Sequence, residues 1–102
     1  MVKRTRAAGS DAFHRVVEGA LAEERANALG RAGRRLDEAI DTHRLLVEVG
    51  VATESQIAVA LDAVAHEAWK LVVQRECAGF RSNAVDWVRT NYDIPAAALR
   101  RL

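Results

Sequence analysis

Glu24, Arg25, Arg75 and Glu76 are the residues whose types could best shift one another's protonation. Two carboxylates beside two guanidinium groups can shift one another's pKa values, which is one mark of a chemical site. They can also close into an ion-paired network that fixes the register of two helices. Glu23, Gln74 and Arg81 stand around them. The network is the commoner role of such a set, and no Gly-rich phosphate loop or Ser–His pair accompanies it. Cys77 follows directly. A nucleophilic thiol needs a base or a positive field. Arg75 and Arg81 supply a field, but His14, His43 and His66 are not placed near it, so Cys77 reads as a semi-buried structural thiol.

Asp11-x-x-His14 and Asp62-x-x-x-His66 each place two metal-ligand types on one helical face. Di-iron bundles use paired Glu-x-x-His motifs with further glutamates. That pairing is absent here, and His43, between apolar neighbours of an inner stripe, reads as a core histidine. No metal and no cofactor is expected. Arg31, Arg34 and Arg35 form a basic patch, and Lys3, Arg4 and Arg6 a basic arm, both suited to phosphates. Asp37, Glu38 and Asp41 follow the patch at once and neutralise that face. Val85 to Leu99 loosely suggests a helix-turn-helix, but it lacks a basic recognition helix.

These groups are positioned by helices. The chain has 102 residues, the size of one domain, with a hydrophobic share of 50%, six Gly and one Pro. From Asp11 to about Val49, the residues Val17, Leu21, Ala28, Ala32, Leu36, Ala39, His43 and Leu46 keep helical spacing. Ser10 or Asp11 is placed to cap this helix. Gly30 and Gly33 leave open a kink or a close approach by another backbone. Gly50 suits a helix C-cap, and Thr53-Glu54-Ser55-Gln56 is a capping box that starts a second helix running to about Gly79. Its stripe is Ile57, Leu61, Val64, Ala65, Ala68 and Val72. Trp69, Val73 and Phe80 widen the stripe on one side, Ala60 and Leu71 on the other. Ser82 to Asn91 suggests a short helix with Val85 and Val88 inward and Trp87 beside them. Ile94-Pro95 then begins a last turn or two docked by Leu99 and Leu102. Val47 to Val51 has a short β-like pattern, but no other segment offers it a partner. The expected fold is therefore all-α: a long antiparallel helical hairpin with a short C-terminal helical segment packed on it. Residues 11–102 form one helical domain behind a flexible basic tail, residues 1–10.

The two long helices do not match in length. About 39 residues make a rod of roughly 58 Å, and about 27 residues make one of roughly 40 Å. A turn near residue 51 places residue i level with residue 102 − i, so the second helix covers the first only back to about residue 22. Phe13, Val16, Val17 and Leu21 lie beyond it. Either the C-terminal segment folds back over them or a second copy of the chain does. The second choice makes Phe13, Val17, Leu21, Trp69 and Trp87 the expected self-association residues.

Two stretches resemble a group of short, uncharacterised bacterial helical proteins classed as a domain of unknown function. One is Ala28-Leu29-Gly30-Arg31-Ala32-Gly33-Arg34-Arg35-Leu36. The other begins Val73-Gln74-Arg75-Glu76, passes through Gly79-Phe80-Arg81 and ends in Tyr92-x-Ile94-Pro95-x-x-x-Leu99. The resemblance covers most of residues 17–102. It implies a bacterial helical protein and carries over no catalytic or binding residue.

Charge and composition narrow the remaining classes. Lys+Arg is 15 and Asp+Glu 14, a net charge of +1, so no global field draws the chain to nucleic acid or to an anionic membrane. The longest apolar run, Ile57–Leu61, is far short of the roughly 20 residues a span requires. With a single cysteine and no apolar stretch after the basic start, a cytoplasmic location is expected. The reading is a non-enzymatic helical interaction module that forms a homodimer. The alternative is a small nucleic-acid-associated regulator using the basic tail and the Arg31–Arg35 turn.

Overall fold

A computed structural model describes residues 2–102, with side chains from Ser10 onward. Of the flexible tail expected over residues 1–10, Met1 lies outside the described residues, and for residues 2–9 only the backbone, part of α1, is described. Four helices follow one another: α1 (Val2–Val49), α2 (Glu54–Cys77), α3 (Ala84–Asn91) and α4 (Ala96–Leu99). Among the described residues there is no strand. The Val47–Val51 stretch belongs to the end of α1 and the turn that follows, as its lack of a pairing partner requires.

The single proline of the chain is Pro95, so nothing in the long helices removes a backbone donor. α1 runs without a break through Gly19, Gly30 and Gly33 and through Ser10 and Asp11, so neither of the last two caps it. Its 48 residues correspond to about 72 Å of helix, close to the molecule's longest dimension of 75 Å. The other two dimensions are 23 and 18 Å. The radius of gyration is 20.0 Å, against about 13 Å for a compact chain of this length. The molecule is a rod.

α1 ends where Gly50 adopts φ +75°, a conformation that costs a glycine nothing. α2 begins at the expected capping box. Thr53 Oγ1 accepts from the Gln56 backbone N–H (3.1 Å), and Gln56 Oε1 accepts from the Thr53 N–H (2.9 Å). Exposed Thr53 can be lost without a packing defect, so Thr53→Ala is expected to cost about 1 kcal/mol in denaturant unfolding. An unchanged midpoint would mean that the cap does not hold the hairpin turn. At the other end of α2, Gly79 at φ +102° closes a Schellman turn. The Phe80 N–H donates to the Arg75 carbonyl (2.9 Å) and the Gly79 N–H to the Glu76 carbonyl (3.1 Å).

The hairpin core is a line of small and medium aliphatic side chains. Ala32, Leu36 and Ile40 of α1 meet Val64, Ala68, Leu71 and Val72 of α2, and Ala84, Val88, Ile94 and Ala98 close the C-terminal side. Leu36, Val64, Val72 and Val88 are the largest fully buried side chains. Ile40 was not on the expected stripe, which passed through Ala39. In α3 it is Ala84 and Val88 that face inward, while Val85 is exposed. Starting α3 at Ala84 puts positions four apart on the core side and turns Val85 about 100° away.

α3 and α4 both pack on α2. They reach α1 through Tyr92 and Asp93. Arg44 lies 3.6 Å from Asp93 and 3.4 Å from Asp41, while Arg101 pairs with Asp62. The Tyr92 hydroxyl lies over Gly33, where an added Cβ would sit 2.6 Å from it. The close approach expected at the α1 glycines is therefore made by a side chain rather than a backbone.

Candidate functional site

The expected interhelical cluster does not assemble. Glu24 pairs with Arg31 on its own helix at 2.9 Å. Among the described residues no ion pair joins Glu24 or Arg25 to Arg75 or Glu76. The Schellman turn is the cause. It brings Phe80 back beside Arg75, whose guanidinium carbon lies 3.5 Å from the Trp87 ring centroid and 4.6 Å from that of Phe80. A guanidinium gains more between two aromatic faces than in an exposed ion pair. Glu76, one residue on, is turned about 100° around the helix and is exposed. Arg75 is thus the clasp that holds α3 to the end of α2.

Trp87 belongs to the same clasp. It is half-buried, stacks on Arg75 and meets Tyr92 edge-on at 6.3 Å, so its main contacts lie within the chain. Cys77, expected to be semi-buried, is exposed, because it lies about 140° around α2 from the buried Val72. Among the described residues no group of three His, Cys, Asp or Glu side chains is disposed to hold a metal ion. His43 is half-buried at the rim of a cleft of about 280 Å³ with Arg44, Asp93 and Pro95. Of the basic patch, Arg31 is held by Glu24, and Arg34 and Arg35 are exposed.

The fold changes the protonation of Tyr92. Burial raises its pKa above the ordinary 10, the negative charge of Asp37 raises it further, and Arg75 offsets part of the rise. The fold therefore prefers the neutral phenol. Its contribution is complete below pH 10 and is lost as pH rises through the higher folded value. Because Tyr92 is the only tyrosine, its phenolate absorbance reports this directly. The native chain should titrate above pH 10 and lose stability over that range, and Tyr92→Phe should remove that alkaline loss. A midpoint at or below 10 would contradict the placement.

Much of what the geometry leaves uncovered is apolar, and part of it, Phe13, Val17 and Leu21 with the grooves beyond them, lies along one side of the rod. The C-terminal segment does not cover the overhang of α1, since it packs on α2 instead. Phe13 is 67% exposed, Val16 71%, Val17 37% and Leu21 49%. Shelter for this end of α1, expected from the length mismatch, is thus not provided within one chain. On the side of the hairpin away from Tyr92, shallow grooves run between α1 and α2. One of about 440 Å³ is lined by Thr42, Leu46, Val59, Ala60 and Ala63, with Ser55 and Gln56 at its end. It adjoins a second of about 550 Å³ that reaches Val49 and Val51. A third, of about 230 Å³, lies further along between Ala28 and Trp69. Ala28 shares its groove with Gln74, and Leu46 shares one with Gln56, as the 102 − i register requires. Trp69 and Val73 remain exposed beside them.

The class this defines is an all-α helical hairpin with a protruding first helix and an uncovered apolar side. No helix among the described residues is long and apolar enough to cross a membrane. No protein-family model, curated protein or solved structure matches the chain.

Proposed function

We propose that this chain is a non-enzymatic helical interaction module whose partner is a second copy of itself. The observation that carries this is the exposed apolar overhang of α1, Phe13 to Leu21. It projects beyond the end of α2 and is left bare by α3 and α4. An exposed stretch of this kind, continuous with apolar grooves along the same side, is the usual mark of a protein contact. Homo-oligomers are most often two-fold dimers, in which one patch serves both partners. Of the cluster considered for chemistry, Arg75 is taken up in stacking on Trp87 and Phe80.

Multi-angle light scattering of the full chain tests it. The expected mass at micromolar concentration is twice 11.2 kDa. A clean 11.2 kDa species across that range would remove the proposal.

A second reading, a nucleic-acid-associated regulator, is favoured by the exposure of Arg34 and Arg35. It ranks lower because Arg31 is already neutralised by Glu24 and the net charge is only +1. A salt-sensitive mobility shift with duplex DNA that is lost on Arg31/Arg34/Arg35→Ala would support it. No shift at low salt would dismiss it.

A further inference from the structure

The uncovered side of α1 is self-complementary. At 100° per residue, Phe13, Val17 and Leu21 fall on the same flank of α1 as Ala28, Arg31 and Arg35, and then Ala39, Thr42 and Leu46. This is the flank next to the grooves, not the one under Tyr92. Positions along it recur at three- and four-residue steps, the spacing of a helix-packing seam.

Resting on the self-association proposed above, we infer that two copies pair through this flank with their α1 helices antiparallel. The two-fold axis lies between Leu29 and Gly30, so that residue i faces residue 59 − i of the partner. In that register Phe13 meets the partner's Leu46 and Val17 meets the partner's Thr42, both of which line the groove of about 440 Å³. Leu21 comes level with the partner's Glu38, next to Ala39. Nearer the axis Glu24, paired with Arg31 of its own chain, also faces the partner's Arg35, an opposite-charge contact repeated by symmetry.

Three things on the molecule select a second copy as the occupant. Most of the seam maps onto itself under one operation, Phe13 onto Leu46, Val17 onto Thr42 and Ala28 onto Arg31. The charges that meet across it, Glu24 and Arg35, are of opposite sign. The overhang from Ser10 to Asn27, about 27 Å long, matches the groove side of the hairpin from Ala28 to Val49, about 32 Å. A seam about 60 Å long and about 10 Å wide covers roughly 600 Å² on each chain, about 1,200 Å² in all, which reaches the range of stable interfaces.

Disulfide trapping tests the register. The native Cys77 is exposed and is first replaced (Cys77→Ser). In that background Val17→Cys and Thr42→Cys are introduced together, and each is also introduced singly. The two positions lie about 37 Å apart along one helix, so they cannot join within a chain. On mild oxidation with oxidised glutathione, the double variant should become mostly covalent dimer on a non-reducing gel, and both single variants should stay monomeric. Circular dichroism matching the native chain checks that each variant folds. Efficient cross-linking of either single variant would mean that like positions meet, and it would overturn the antiparallel register while leaving self-association intact. A doubled mass by light scattering with no covalent product from the double variant would place the contact elsewhere and overturn the register as well. A monomer mass would overturn both the register and the self-association it rests on.

Discussion

Phe13→Asp together with Val17→Asp should leave the chain at 11.2 kDa under conditions where the native protein has twice that mass. Burying a Phe or Val side chain is worth about 1.5–3 kcal/mol. Phe13 is 67% and Val17 37% exposed in the single chain, so over both copies about 3–6 kcal/mol is withdrawn from association. That is a loss of roughly two to four orders of magnitude in Kd. The aspartates would also have to enter a groove lined by Leu46, Val59, Ala60 and Ala63, where an unpaired carboxylate is costly. Neither Phe13 nor Val17 touches the hairpin core. The helical signal of the diluted, monomeric protein should therefore be nearly unchanged. A doubled mass retained by this variant would show that the overhang is not the contact.

Gly33→Ala should change sign with the residue at position 92. In a helix interior alanine is favoured over glycine by about 1 kcal/mol, so an exposed glycine would gain from the change. Gly33 is buried instead, and its new Cβ would meet the Tyr92 hydroxyl at 2.6 Å. Tyr92 is not free to swing aside, because its ring is set edge-on to Trp87 and packs against the core. Overpacking of this kind costs about 1–3 kcal/mol, so Gly33→Ala should be destabilising by up to about 2 kcal/mol net. Removing the hydroxyl leaves the ring carbon at 3.8 Å as the nearest atom, an ordinary contact. In the Tyr92→Phe background the same Gly33→Ala change should therefore stabilise the chain by several tenths of a kcal/mol to about 1 kcal/mol. Urea unfolding of the four members of this cycle measures it, and equal effects in both backgrounds would contradict the contact.

The parts of the fold that depend on local chemistry were legible in the sequence. The hairpin turn follows from Gly50 and the Thr53–Gln56 box, and the α2 core from the spacing of Val64, Ala65, Ala68 and Val72. The overhang follows from arithmetic on two helix lengths. What was not legible depends on the direction from which a partner element arrives. The stripe drawn along α1 merged two flanks: Leu36 faces α2, whereas Val17, Leu21 and Leu46 lie toward the grooves, and Ile40 on the far side was passed over. Arg75 and Glu76 looked like members of one ion-paired set because the spacing of α1 and α2 puts them level with Glu24 and Arg25. Only the turn at Gly79, which returns Phe80 to the helix, makes a stacked guanidinium the better arrangement. Gly33 could be flagged as a place of close approach, but a glycine does not encode that a tyrosine 59 residues later will fill the space. Trp87 shows the same limit, since an aromatic at the edge of a short helix reads equally well as core or as interface.

Hydrogen exchange of the native chain at two concentrations most directly tests the claim that the α1 overhang is covered by a second copy. A single helix end without tertiary cover holds its amides poorly. The account expects amides from Phe13 to Glu24 to be protected at high micromolar concentration and to lose that protection on dilution. Those from Ala32 to Ile40, which the hairpin buries, should change far less. Fast exchange over Phe13–Glu24 at every concentration, or protection there that does not respond to dilution, would contradict it.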